Sequence, residues 1–267
     1  MNLIKRIRKW FFLRQYKKNQ EKKKKELLPR KEEIIHDTFA ILDANLRKAS
    51  IAQVGGFRPP DDPRASWLGK VLLAREGEQW PQWKPPFKLD PEPVLLTPLG
   101  QFNLMEIPFV PEKLKRFVLI TVFIDEERLP YEQPNGKGWV VRAYESFEGL
   151  VRLEPPQTEF SIRPFPIRWS LAESEGPSWG DAWRITDLTE FNTIDDEGLF
   201  HDRYHNSERT KLGGYPALIQ GELKFGIDDF VFQIGTEDKA KCYWGDGGAA
   251  YFGLSDEGQW MFEWSCY

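Results

Sequence analysis

From about residue 50 onward the chain is a succession of short apolar runs bounded by turn residues, which predicts β-strands joined by tight connections. Phe117–Ile124 (FVLITVFI) is apolar without a break, as a strand covered on both faces must be. Gly138–Tyr144 (GWVVRAY) follows a Pro-Asn-Gly turn and predicts a second strand. Glu159–Trp169 (EFSIRPFPIRW) alternates with period two, and its prolines predict a place at a sheet edge. Asp229–Gly235 and Ala249–Leu254 predict two more strands. In Trp260–Cys266 the residues Trp260, Phe262, Trp264 and Cys266 share one face while Met261, Glu263 and Ser265 take the other, a half-buried closing strand.

Helical periodicity is concentrated before residue 50. Ile35, Phe39, Leu42 and Leu46 recur as i, i+4, i+7, i+11 and predict a helix over 32–50 that leads into the main domain, 51–267. His36 falls on that helix as an ordinary surface residue. The Gly-Gly-Phe-Arg-Pro-Pro stretch at 55–60 then breaks the pattern. Beyond it only 111–117 and 187–205 carry helical signals. Among the first 18 residues, Leu3, Ile4, Ile7, Trp10 and Phe11 fall in one arc of about 120°, with Lys5, Arg8 and Lys9 opposite. Arg14 and Lys18 return to the arc, so the stripe ends after three turns. The fold class read from these patterns is α+β, predominantly antiparallel β, with an N-terminal helical segment.

Charge sharpens the division. Residues 1–31 carry 13 Lys/Arg against two Glu, whereas the remainder has a net charge of -15. The apolar run Trp10–Leu13 is too short for the core of a signal peptide or for a bilayer crossing. Three readings of the tail stay open: a solvated lead-in packed on the body, attachment to an anionic membrane surface, and docking to nucleic acid or an acidic partner. Nucleic acid is disfavoured, because an acidic body repels phosphates. Two cysteines, Cys242 and Cys266, are too few for a disulfide scaffold and point to a reducing, cytoplasmic setting, at most peripheral to the inner membrane face.

The chain also repeats an order of signals. A Leu-Gly, a glutamine in an apolar strand and an aromatic strand occur twice, with Gly69, Gln101 and Phe123 answered by Gly214, Gln233 and Phe252. The glycine-to-glutamine gaps are 32 and 19 residues, so the order survives with unequal loops. That predicts an internal duplication of two β halves about a pseudo-twofold axis, with a groove at their junction.

Lys211–Gln220 (KLGGYPALIQ), Phe230–Asp238 (FVFQIGTED), Tyr243–Asp256 (YWGDGGAAYFGLSD) and the terminal FEWSCY resemble the YwqG-like family of bacterial proteins. More loosely, Ser66, Gly69, Trp80, Pro81 and the stretch Pro98–Leu104 are similar to the family's first half. Lys70 stands where the family has a second glycine, Gly235 where it has an acidic residue, and Thr210 where it has a histidine. The resemblance covers residues 60–267 and implies a mostly β, internally duplicated cytosolic protein, with no activity attached.

Candidate chemistry is sparse. Trp244-Gly245-Asp246-Gly247-Gly248 joins two strands, and its glycines suit a tight turn in which Asp246 bonds backbone amides. A metal loop needs several oxygen ligands at alternate positions, and Asp246 stands alone. The Trp-Gly-Asp triplet recurs at 179–181, so Asp181 and Asp246 would form a carboxylate pair if the two turns met. His201 and His205 are spaced i, i+4 but lack the glutamate of a metalloprotease helix. Gln101, Asn103 and Gln233 are amides inside apolar strands and either tie the halves together or line a polar pocket. Trp244 and the other tryptophans are core or an aromatic wall. No nucleotide-binding glycine loop, nucleophile elbow or CxxC pair occurs, and no cofactor or metal is predicted. Two functional readings result: a binding or interaction module for an unidentified protein or small molecule, and, as the alternative, an enzyme of unassigned class, such as a hydrolase, using Asp and His groups.

Overall fold

The structure is a computed structural model; it describes residues 3–86, 92–195 and 198–267, without the side chains of Leu3, Ile4, Ile7 and Phe11. The chain divides into two units, one formed by residues 1–46 and 176–205, the other by 47–175 and 206–267.

The first unit is helical. Helix α1 spans Leu3–Leu27 and α2 spans Lys31–Asp43, with a single 3₁₀ turn between them. Three short helices follow late in the chain: α3 (Trp179–Ile185), α4 (Thr189–Ile194) and α5 (Leu199–Arg203). Ile34, Leu42, Ala182, Leu188, Phe191 and Phe200 form their shared core. None of the short helices has the length to be stable alone, so packing against α2 is what makes them fold. Asp43 closes α2, accepting from Arg203 at 2.5 Å and from the Tyr204 hydroxyl at 2.9 Å, and Arg203 holds its carboxyl below the usual range. The predicted helix over 32–50 is therefore shorter than its periodicity implied. It ends at Asp43, because Arg47–Ser50 pair as strand and strand pairing outweighs local propensity.

The second unit is an antiparallel sheet. Its strands are β1 (Arg47–Val54), β2 (Trp67–Leu68), β3 (Leu73–Arg75), β4 (Gln82–Trp83), β5 (Val94–Leu95), β6 (Thr97–Asn103) and β7 (Leu119–Ile124). After these come β8 (Trp139–Tyr144), β9 (Leu150–Arg152), β10 (Phe165–Glu175), β11 (Lys211–Gly213), β12 (Phe230–Gly235), β13 (Ala249–Leu254) and β14 (Trp260–Ser265). Ten of them form one sheet in the order β14-β13-β12-β11-β1-β10-β2-β6-β7-β8. All six residues of β7, β12 and β13 are buried.

The sheet curls until its two ends nearly meet. Trp139 of β8 lies 5.3 Å from the ring of Phe262 on β14, and Phe102 lies 5.7 Å from Phe232 across the interior. No ladder joins β8 to β14, so a seam is left in an otherwise barrel-like sheet. Trp260, Phe262 and Trp264 face this core, as the alternation in the sequence predicts.

One strand departs from its prediction. The prolines suggested an edge, yet β10 is a central strand between β1 and β2. Pro166 sits at its beginning, where β2 is only two residues long, and the nine-residue stretch from Ile167 to Glu175 carries the pairing with β1. The missing proline N–H thus costs little.

Candidate functional site

The two glutamines are clamps. Gln101 donates to the carbonyls of Pro63 (2.8 Å) and Ala65 (2.9 Å) and accepts from the amides of Leu72 (2.9 Å) and Leu73 (3.1 Å). Gln233 donates to Ser207 (3.0 Å) and Arg209 (2.9 Å) and accepts from Ala217 at 2.9 Å. Gln101 pairs with Trp67 and Gln233 with Lys211, and each bonds the carbonyls four and two residues before its partner. The hydroxyls of Ser66 and Thr210, one residue before those partners, likewise accept the amides of Asn103 and Gly235. The same bonds recur at the same offsets on the two flanks. They match Gly69 with Gly213 and Thr121 with Tyr251, one residue away from the spacing read in the sequence. A buried amide with all its bonds made rigidifies its surroundings and leaves nothing for a ligand.

Where the first flank has Trp67, the second buries a charge. Lys211 is fully buried and its Nζ meets Glu175 and Asn206 at 2.6 Å each. A Cβ on Gly214 would lie 2.1 Å from Glu175 Oε2, so only glycine leaves space for this pair. Nothing in the pattern of the sequence announced Glu175 or Asn206 as partners of Lys211.

The other candidates are dispersed. Asn103 is buried and its Oδ1 accepts the Met105 amide at 3.1 Å. Asp181 is no turn residue: Ser178 caps α3, accepts the Asp181 amide at 3.1 Å and donates to its carboxylate at 2.7 Å. The Trp-Gly-Asp triplet at 179–181 is thus helical, while the one at 244–246 is a turn, with Gly245 and Gly247 left-handed at 61° and 62°. Asp181 belongs to the helical unit and Asp246 to the sheet unit, where Asp246 is exposed. His201 is exposed on α5, near the ring of Trp179; His205 lies beyond the helix end at Arg203, so one helix does not carry both. Trp244 is buried in the sheet core. Cys242 and Cys266 are free, and burial pushes the Cys242 thiol up to about 12. Among the described residues no three His, Cys, Asp or Glu side chains converge as a metal would require.

What the tertiary structure does assemble is a groove of about 440 Å³ beside the open seam. The loop 130–134 forms one wall, Lys224 and Phe225 another, and Gln259–Trp264 the floor. Successive strand residues point to opposite faces, so a groove touched by Trp260 through Trp264 in unbroken order runs along the edge of β14. Tyr131, Phe225, Trp260 and Trp264 make it aromatic. Its ionic groups are Lys224, Glu132 and Glu263: the Lys224 ammonium donates to the Tyr131 hydroxyl at 2.8 Å and to the Glu132 carboxylate, and the Lys224 amide donates to Glu263 at 2.9 Å. The contact between Lys224 and Glu132 raises the lysine and lowers that glutamate, so both stay charged near neutrality. The Nε1–H of Trp264 is buried and has no hydrogen-bond partner among the described residues.

At the far end of the sheet the edge is closed. Asn135, from the turn before β8, donates to the Val141 carbonyl at 3.1 Å and accepts the Val141 amide at 3.0 Å, mimicking a neighbouring strand. Gly136 adds a bond to Trp139, and the Trp139 indole donates to Gln133 at 2.7 Å. Among the described residues, no backbone group besides those of β13 bonds to the backbone of β14 within Trp260–Ser265.

The chain belongs to the family described as Domain of unknown function (DUF1963), which matches residues 68–258. None of the curated proteins matches it.

Proposed function

We propose that the sheet unit, as a YwqG-like cytoplasmic module, binds an extended peptide segment of a partner protein in the groove along β14. The observation that carries this is the contrast between the capped edge of β8 and the uncapped edge of β14, with an aromatic groove beside the latter. An unpaired edge offers alternating N–H and C=O groups to an added strand, and flanking pockets read its side chains. Lys224 and Glu132 stabilise one another as ions, so neither is tuned to transfer a proton at neutral pH, which supports binding over acid–base chemistry. The matching glutamine clamps support descent of the two flanks from one duplicated unit.

A selection of displayed random peptides on the full chain, repeated on Met261→Lys, tests the proposal. Peptides of alternating apolar residues should be enriched on the first and lost on the second. Recovery of the same peptides on both, or of none on either, sinks it.

A second reading concerns α1. Eleven Lys/Arg lie on this helix, and Trp10, Phe12, Leu13 and Tyr16 are exposed on its early turns. Of the five side chains predicted to touch lipid, only Trp10 is among those described. No helix of the described residues is long and apolar enough to cross a membrane. Basic and aromatic side chains together favour attachment at an anionic surface, at about 1 kcal/mol per basic residue close to it. Flotation with anionic vesicles should carry the full chain upward and leave a Lys5, Arg6, Arg8, Lys9→Gln variant behind. Equal flotation of the two, or none, removes the membrane reading.

A further inference from the structure

A second cleft, of about 360 Å³, opens against the first half of β10, beside the loop that connects β1 to β2. After β1 a tight turn at 55–56 brings Phe57 and Arg58 beside β10. Ala65 enters from the approach to β2, Glu106 from the end of β6, and Arg168 and Trp169 from β10 itself. The indole of Trp169 is pinned from behind, its Nε1 donating to Ser66 Oγ at 3.1 Å. The Arg168 guanidinium lies over the Phe57 ring, its carbon 4.0 Å from the centroid. Stacking fixes the plane of an arginine but leaves its edge donors unused.

Neither Arg168 nor Arg58 has a carboxylate within ion-pair reach among the described residues, although the body has a large excess of acidic side chains. Elsewhere in the same unit Arg64 is engaged by Asp62. Glu106, the acid of the cleft, pairs with neither arginine; burial and the nearby Asp62 push its carboxyl above the ordinary range. The cleft therefore holds two guanidinium groups free to bind and a flat indole already fixed in place.

We propose that this cleft binds a small organic oxyanion, a carboxylate or phosphate borne on a flat apolar body, with Arg58 and Arg168 on the anion and Trp169 against the body. Guanidinium forks match both oxyanions, and their bonds are charge-assisted. The volume suits a small ligand. The site is separate from the groove at β14.

Calorimetric titration of the full chain with benzoate and with phenyl phosphate, at one chloride concentration, tests this and distinguishes the two anions. Saturable binding of at least one is expected, weakened about tenfold in Arg168→Gln and in Arg58→Gln. Arg168→Lys, which keeps the charge but loses the fork, should fall between. Glu106→Gln, which removes the competing negative charge, should tighten binding. Lys224→Gln, in the other groove, should leave it unchanged. Both arginines are exposed, so their removal leaves the fold intact, and thermal unfolding of each variant verifies this. Absence of saturable binding by either probe overturns the proposal, as does equal affinity in the wild type and both arginine variants.

Discussion

The flanks of the sheet, β2-β6-β7-β8 on one side and β11-β12-β13-β14 on the other, are matched near the centre and diverge outward. Each has a glutamine clamp holding the segments around its innermost strand, with donors and acceptors at the same offsets. Beside the clamp one flank buries Trp67 and the other the Lys211–Glu175 pair. At the rim one strand is capped by its own loop and the other borders an aromatic groove. The difference teaches that the bonds shared by the two flanks lie around the innermost strands, while the outer strands diverge, one capped by its own loop and one left bordering a groove.

The sharpest break in this comparison is at the buried charge. Lys211→Met leaves Glu175 buried without its cation and should cost about 3–5 kcal/mol in urea unfolding. A loss below a third of that would mean the pair is dispensable and the flanks are held in other ways. Next, Gln101→Leu and Gln233→Leu should cost about 2–3 kcal/mol each, because both strand backbone groups in a dry interior. Unequal losses, one large and one negligible, would break the claim that the clamps do the same job.

Uncapping β8 should act more gently. Asn135→Ala frees the Val141 amide and carbonyl and should cost about 1 kcal/mol, with new self-association visible by sedimentation as the edge becomes available. No change in association would remove edge protection as the function of Asn135. On the opposite rim, Met261→Lys should change stability by less than about 0.5 kcal/mol while abolishing peptide capture. A pH titration gives the smallest effect. Lys224 lowers the Glu132 carboxyl, so the pair's contribution is present above the ordinary carboxylate range and is lost as pH falls through the lowered value. Glu132→Gln should flatten that acid limb slightly; an unchanged limb would show that the pair is screened away.

Much of this was legible in the sequence. The alternation in Trp260–Cys266 and the unbroken apolar run before Ile124 translate directly into a half-buried and a doubly covered strand, because side-chain period and burial are local consequences of the pleat. Gln101, Asn103 and Gln233 were legible as buried amides needing partners, though not which partners. Asp181 was misread as half of a turn pair, since the same three letters begin a helix once Ser178 supplies a cap. Arg58 and Arg168 carried no signal, being ordinary polar residues in a turn and on a strand, and Asn135 was legible only as a turn residue.

By itself the sequence determined the β-rich character of the chain beyond residue 50, the basic helix at the start, the buried glutamines and the turn glycines. Each of these follows from local periodicity, net charge or backbone sterics. Only the tertiary structure decided that residues 176–205 join the first two helices, that a proline-bearing strand lies at the centre, and that the sheet curls until a seam remains. Those outcomes depend on contacts between residues far apart in the chain, whose free energy arises from burial that no short window of sequence encodes.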